Sequence, residues 1–132
     1  HCMHKFFSAL FILATLSSQA MAAEKLHVDI ELRDGVASYK KVGESELDFA
    51  KTADGAIEIH LSKTFWKIIF KVNANLYQPE HYEISPELYD NDKRIEKDIT
   101  TKFTANSNTP YRFTWGRWLK GQFIQFRLTF NR

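Results

Sequence analysis

YRFTWGRWLKGQFIQFRLTF, residues 111–130, is the stretch whose reading decides the fold. Tyr111, Phe113 and Trp115 recur at every second position. After the glycine-containing corner Gly116–Gly121, Ile124, Phe126, Leu128 and Phe130 recur at the same period. A period of two belongs to β-strands with one buried face, because alternate side chains point to opposite sides of the pleat. In this register Arg112, Thr114, Gln125, Arg127 and Thr129 face outward. Two strands cannot bury such an aromatic face alone, so the rest of the chain has to supply the sheet that covers it.

Near the start, Met3-His4-Lys5 precedes the apolar run Phe6–Leu16, the polar Ser17-Ser18-Gln19 and the small-residue group Ala20-Met21-Ala22-Ala23. That is the order of a secretory signal peptide, with cleavage expected after Ala22. The run has about half of the ~20 residues that cross a bilayer, so no transmembrane segment is expected in the mature chain. His1 and Cys2 precede Met3 and are read as lying outside the native leader. Residues 23–132 are then enough for one domain. Cys2 is the sole cysteine, so that domain has to stand on an apolar core without a disulfide. A short basic n-region and the absence of an Asn-x-Ser/Thr sequon favour a bacterial protein, periplasmic or secreted. The formal charge is +2, from 18 Lys and Arg against 16 Asp and Glu. This balance lacks the concentrated basic footprint of a nucleic-acid binder, and none is expected as a partner.

Between leader and hairpin, Leu26, Val28, Ile30 and Leu32 alternate with His27, Asp29, Glu31 and Arg33 as a first strand, closed by an Asp34-Gly35 turn. Val36–Val42 is expected as a second, edge strand of poor alternation, with Lys40 and Lys41 guarding it. Gly43-Glu44-Ser45 reads as a polar connection and Leu47–Lys51 as a short strand. Ile57, Ile59 and Leu61 form the inward set of another strand, with Glu58 and His60 outward. Thr64–Val72 is read as a strand with Trp66, Ile68, Phe70 and Val72 on one face, in preference to a short helix capped by Ser62. Pro79 and Pro86 interrupt the next region, leaving His81–Ile84 as a short edge segment, with Ser85-Pro86-Glu87 able to open a helical turn. Asp90–Lys93 is a polar corner. Ile95, Lys97, Ile99, Thr101 and Phe103 share one phase as a further strand. Seven or eight short strands with turns every 8 to 14 residues predict an all-β antiparallel β-sandwich, immunoglobulin-like, with a small β-barrel as the alternative. The short strands and the charged positions Glu58, His60, Lys67 and Lys71 argue against an outer-membrane barrel.

Sites are less legible. The second face of the Thr64–Val72 strand reads Phe65, Lys67, Ile69 and Lys71, extended by Lys63, and this basic, aromatic row is the candidate partner-binding surface; lysine stems covering Phe65 and Ile69 are its structural alternative. Arg117, Trp118 and Lys120 form a second candidate contact, set against Trp118 and Leu119 folding back to close the core. His27, Asp29, Glu31, Glu58 and His60 have metal-ligating side chains, but same-face neighbours on a strand stand about 7 Å apart. A solvated strand face is favoured, and no metal or other cofactor is expected. Asp90, Asn91, Asp92 and Glu96 lack the EF-hand glycine and distal glutamate. No nucleophile elbow, zincin helix, phosphate loop or dinucleotide fingerprint is present.

The leading expectation is a noncatalytic protein-binding or accessory domain acting on an envelope or secreted protein, with an inhibitor of an envelope enzyme as a specific form. A carbohydrate-binding module is the second reading, built on Trp115 or Trp118 with Tyr77 or Tyr82. A small hydrolase or metal-dependent enzyme is the third, and would require His60 or His81 to converge with carboxylates from other strands.

Overall fold

The computed structural model describes residues 25–50 and 52–132, so the expected leader lies outside the described residues. Nine strands follow in chain order: β1 (Lys25–Asp34), β2 (Lys40–Asp48), β3 (Asp54–His60), β4 (Trp66–Ala74), β5 (His81–Asp90), β6 (Lys93–Lys97), β7 (Thr101–Thr104), β8 (Tyr111–Leu119) and β9 (Gln122–Asn131). Every pairing is antiparallel. One sheet has the order β2-β1-β9-β8; the other runs β3-β4-β5, with β6 and β7 sharing the far edge of β5. The two open sheets stack as a β-sandwich, without a helix among the described residues and without closure into a barrel.

The terminal hairpin is β8 and β9, with the expected residues facing inward, and it pairs Tyr111 with Phe130, Phe113 with Leu128 and Trp115 with Phe126. Trp115, Phe126, Leu128 and Phe130 are buried, and Tyr111, Phe113 and Ile124 pack against them from the rim. Its cover is the other sheet. Phe70 of β4 meets Phe113, Trp115 and Phe126 nearly edge-on, with ring centroids 6.3, 5.8 and 6.0 Å away. Phe103 of β7 stacks on Tyr111 at 4.5 Å and tilts against Phe130 at 4.9 Å. Such pairs add about 0.5–1.5 kcal/mol each beyond their burial. The corner is tighter than expected: β8 continues through Gly116 to Leu119, and only Lys120 and Gly121 turn, both left-handed (φ 52° and 79°) as a primed two-residue hairpin turn requires. Gly116 is needed for space, since a Cβ there would stand 2.7 Å from Phe123 Cζ and 3.3 Å from the Ile124 carbonyl oxygen. Gly116→Ala is therefore expected to cost about 1 kcal/mol, the low end for overpacking because the Phe123 ring can swing; thermal unfolding of the variant measures it.

Three stretches depart from the sequence expectation. The first is β2, which begins at Lys40 and runs unbroken through Gly43-Glu44-Ser45 to Asp48, while Val36 sits in the β1–β2 turn. The register against β1 skips one residue, passing from Ile30 opposite Gly43 to Glu31 opposite Lys41, so Val42 is a bulge. A bulge reverses the inside–outside phase, which is why alternation across Val36–Val42 looked poor and the Gly43 segment looked like a loop.

The second is β5, a ten-residue strand in the middle of its sheet rather than an edge segment or a helical turn. Pro86 is tolerated because the edge it faces is broken at that point. Its carbonyl accepts from Asp98 N–H at 2.9 Å, so its missing N–H lies on the same side, between β6 and β7, where no ladder bond is lost.

The third is the strand expected through Ile95, Lys97, Ile99, Thr101 and Phe103. It is split into β6 and β7, and Glu96, opposite the buried Leu88, takes the inward phase while Ile95 and Ile99 are exposed. The interruption carries Asp98, whose carboxylate accepts from its neighbour Ile99 N–H, from Trp115 Nε1 at 3.1 Å and from the Arg117 guanidinium. Arg117 Nε also donates to Glu96 at 2.7 Å, and the guanidinium carbon Cζ lies 4.7 Å from the Trp115 ring centroid. This clasp ties the β8 edge to the β6 edge.

Candidate functional site

Four hairpin turns, β1–β2, β3–β4, β5–β6 and β8–β9, lie at one end of the sandwich, which we call the turn end, while the β4–β5 hairpin loop lies at the other. Asn91 N–H donates to the Phe65 carbonyl at 3.1 Å, joining the β3–β4 and β5–β6 turns. Gly35 N–H donates to the Phe123 carbonyl at 2.9 Å, joining the β1–β2 turn to the hairpin. The Arg117–Glu96 contact sets β8 level with the start of β6. Two stretches half the chain apart in sequence, Lys63–Phe65 and Trp118–Lys120, thus arrive at the same end.

Each brings an exposed aromatic. Phe65 is 74% exposed and Trp118 71%. Trp118 rests on Phe123 with centroids 5.5 Å apart, while Leu119, pointing the other way, closes the core. Each aromatic is two residues from a lysine in left-handed backbone, Lys63 at φ 61° and Lys120 at φ 52°. For a residue with a Cβ this conformation costs roughly 1–2 kcal/mol that glycine would not incur. Lys63, Lys93 and Lys120 have no ion-pair partner among the described residues. Val36, in the β1–β2 turn, adds a fully exposed apolar side chain to the same end; a strand assignment for Val36 hides this from the sequence.

The other members of the expected partner row are engaged within the chain. Lys63 and Phe65 precede β4; only Lys67, Ile69 and Lys71 lie on it. Lys67 Nζ stands 3.4 Å from both Glu58 and Asp92 and 5.1 Å from the Tyr89 ring centroid. Lys71 reaches Glu87 at 3.2 Å. Glu87, opposite Ile69 on this outward face, is 1% exposed. Burial pushes its carboxyl upward, but the Tyr89 hydroxyl, donating at 2.7 Å, together with Lys71 and Arg94, outweighs that and holds it below the usual glutamate range. The lysine stems and the buried carboxylate make this face self-sufficient. Arg117 is likewise spent in the clasp, so Trp118 and Lys120 remain as the accessible part of that corner.

The metal-ligating residues divide between the sheets. His27 Nε2 lies 3.3 Å from Asp29 and from Glu44, a cross-strand neighbour that no local spacing reveals. Lys41 Nζ is 3.1 Å from Asp29 and 2.9 Å from Glu44, so an ammonium already balances these carboxylates. Glu31 is bound bidentately by Arg127 at 2.8 and 2.9 Å. Glu58 and His60 pair with each other at 3.2 Å in the other sheet. Asp92 and Glu96 likewise go to different cations, Lys67 and Arg117, and do not converge with Asp90 and Asn91.

His60 is at the turn end of β3 and His81 at the opposite end of β5, where its Nδ1 lies 3.0 Å from the Pro79 carbonyl. The aromatic platform also separates. Trp115 and Tyr82 are core residues at 5% and 2% exposure, while Tyr77, in the β4–β5 loop, and Trp118 are at opposite ends, about 20 Å of strand apart. No protein-family model, curated protein or solved structure shows a significant match to the chain.

Proposed function

We propose that this chain is a noncatalytic protein-binding or accessory domain of the bacterial envelope or its surroundings, and that it docks its turn end on a partner protein. The observation that carries the reading is the pairing of an exposed aromatic with a left-handed lysine on two separate turns, Phe65 with Lys63 and Trp118 with Lys120. Backbone strain retained where glycine would relieve it points to use of the side chain. Aromatic anchors rimmed by cations suit a partner surface with apolar pockets and an acidic border. Two such tips also fit an inhibitor entering an enzyme cleft. The export reading rests on residues 1–22.

Two results test the proposal. Lys63→Gly and Lys120→Gly should each leave stability unchanged or raise it by up to about 1 kcal/mol, while weakening partner binding. A photo-crosslinking side chain placed at Phe65 or at Trp118 in the exporting cell should trap the same protein from both positions, and Lys63→Gly/Lys120→Gly should reduce both adducts. A crosslinker at Tyr77, on the far end, should not trap it. Unrelated adducts at Phe65 and Trp118, or adducts indifferent to the lysine changes, overturn the proposal.

A further inference from the structure

The end opposite the turns holds a cleft of about 590 Å³, formed where β4 and β7 finish, β5 begins and the loop 75–80 joins β4 to β5. That volume lies within the range of small-ligand sites. The loop is held in shape by Asn75, whose Oδ1 accepts from Tyr77 N–H at 2.8 Å and Gln78 N–H at 3.1 Å, and whose amide nitrogen donates to Gln78 Oε1 at 3.4 Å. Asn73, Glu83 and Lys102 form a row across three neighbouring strands, Asn73 opposite Glu83 and Glu83 opposite Lys102. Turning the Asn73 amide over lets its nitrogen donate to Asp54 at 2.8 Å and to the Val72 carbonyl at 3.3 Å, the orientation that satisfies its neighbours and leaves its oxygen as an acceptor. Glu83 and Lys102 are direct cross-strand neighbours of opposite charge, yet neither has an ion-pair partner among the described residues. Both residues line the cleft. Tyr111, stacked on Phe103, supplies an aromatic wall.

The chemistry of this lining is specific in kind. One carboxylate and one ammonium cancel, so the cleft has no net field to gather a phosphate or a polyamine. Its other polar groups include primary amides and hydroxyls, which both donate and accept. Sugar hydroxyls do the same, and the apolar face of a sugar ring packs on an aromatic side chain.

We infer that this cleft is a binding site for a short neutral oligosaccharide, with Glu83, Lys102 and Asn73 bonding ring hydroxyls and Tyr111 covering one ring face. The site is at the other end of the molecule from the protein-docking turns and does not depend on them.

The test is a titration of the ¹⁵N-labelled protein with chitotriose, maltotriose and cellotriose, each to roughly 10 mM, well above the millimolar Kd of a weak site, and in a separate arm with a soluble peptidoglycan disaccharide-peptide. Saturable amide shifts confined to residues 73–83 and 102–111 are expected with at least one of them. A neutral trisaccharide giving those shifts identifies a free-glycan site; the disaccharide-peptide alone giving them identifies a cell-wall site. Glu83→Gln and Lys102→Met should each weaken binding about tenfold or more. Lys102 is an exposed lining residue of the short strand β7, so loss of binding in Lys102→Met reads the site and not the fold. No saturable shift with any of the four probes, shifts mapping to Trp118, or shifts indifferent to both variants would overturn the inference.

Discussion

Phe126→Ala is expected to lower the unfolding free energy by about 3–5 kcal/mol, because removing a buried ring forfeits its transfer energy and leaves a cavity that the neighbours fill only in part. Phe126 is 1% exposed, lies opposite both Leu32 of β1 and Trp115 of β8, and meets Phe70 across the sandwich at 6.0 Å. Neighbours fixed on three strands can collapse little. The adjacent outward change, Gln125→Ala, is the control. Its side-chain oxygen is buried without a hydrogen-bond partner among the described residues, so truncation gives up no bond, relieves an unpaired group and should shift stability by about 1 kcal/mol or less in either direction. Stability of a small domain is only about 5–15 kcal/mol, so the first variant should show a markedly lower urea midpoint at an unchanged slope. Equal effects of the two changes would contradict the inward register of β9.

Glu87→Gln should cost about 1.5–3 kcal/mol at pH 7, the range for hydrogen bonds to a charged group. The substitution keeps the shape but removes the charge that Lys71, Arg94 and the Tyr89 hydroxyl converge on. The two cations are half-exposed and stay hydrated when the carboxylate is lost, which keeps the cost below that of orphaning a buried charge. The sign of the pH dependence follows from the lowered folded-state pKa. An acid that is stronger in the folded chain stabilises it fully above the unfolded value of about 4.3, and the contribution fades as pH falls through the lower folded value. The gap between wild type and Glu87→Gln should therefore be constant from pH 7 to about 5 and close below about 4. Asp98, also held below the usual range by the Ile99 N–H, Arg117 and Trp115, adds to the acid sensitivity of the wild type in the same window. Denaturant midpoints of both proteins across that range check it; a gap that widens toward acid would mean that Glu87 is neutral in the folded chain.

The strands that were legible in the sequence are those whose apolar residues alternate without interruption. Leu26–Leu32, Ile57–Leu61, Trp66–Val72 and the hairpin of Phe113, Trp115, Phe126 and Leu128 all bury the side chains that their period assigns to the core. Where alternation slipped, a tertiary feature had intervened. The Val42 bulge reversed the phase of β2. Pro86 lies inside a central strand because a different segment breaks opposite it. Glu96 faces inward at a sheet edge because Arg117, on the other sheet, meets it.

Sites followed the same division. The residue types of the partner row were visible, but Glu87, Glu58 and Asp92, which engage Lys71 and Lys67, come from other strands. The cleft row Asn73, Glu83 and Lys102 is spread over thirty residues with no local pattern to link its members.

By itself, the sequence determined that this is an all-β chain and which faces of its regular strands are apolar, because a two-residue period is set by the geometry of the strand alone. Only the tertiary structure decided the strand order, which charges neutralise one another, and that Lys63, Phe65, Trp118 and Lys120 share one end while a polar cleft occupies the other. Those outcomes depend on register between segments distant in the chain, where a slip of one residue exchanges every inward and outward side chain.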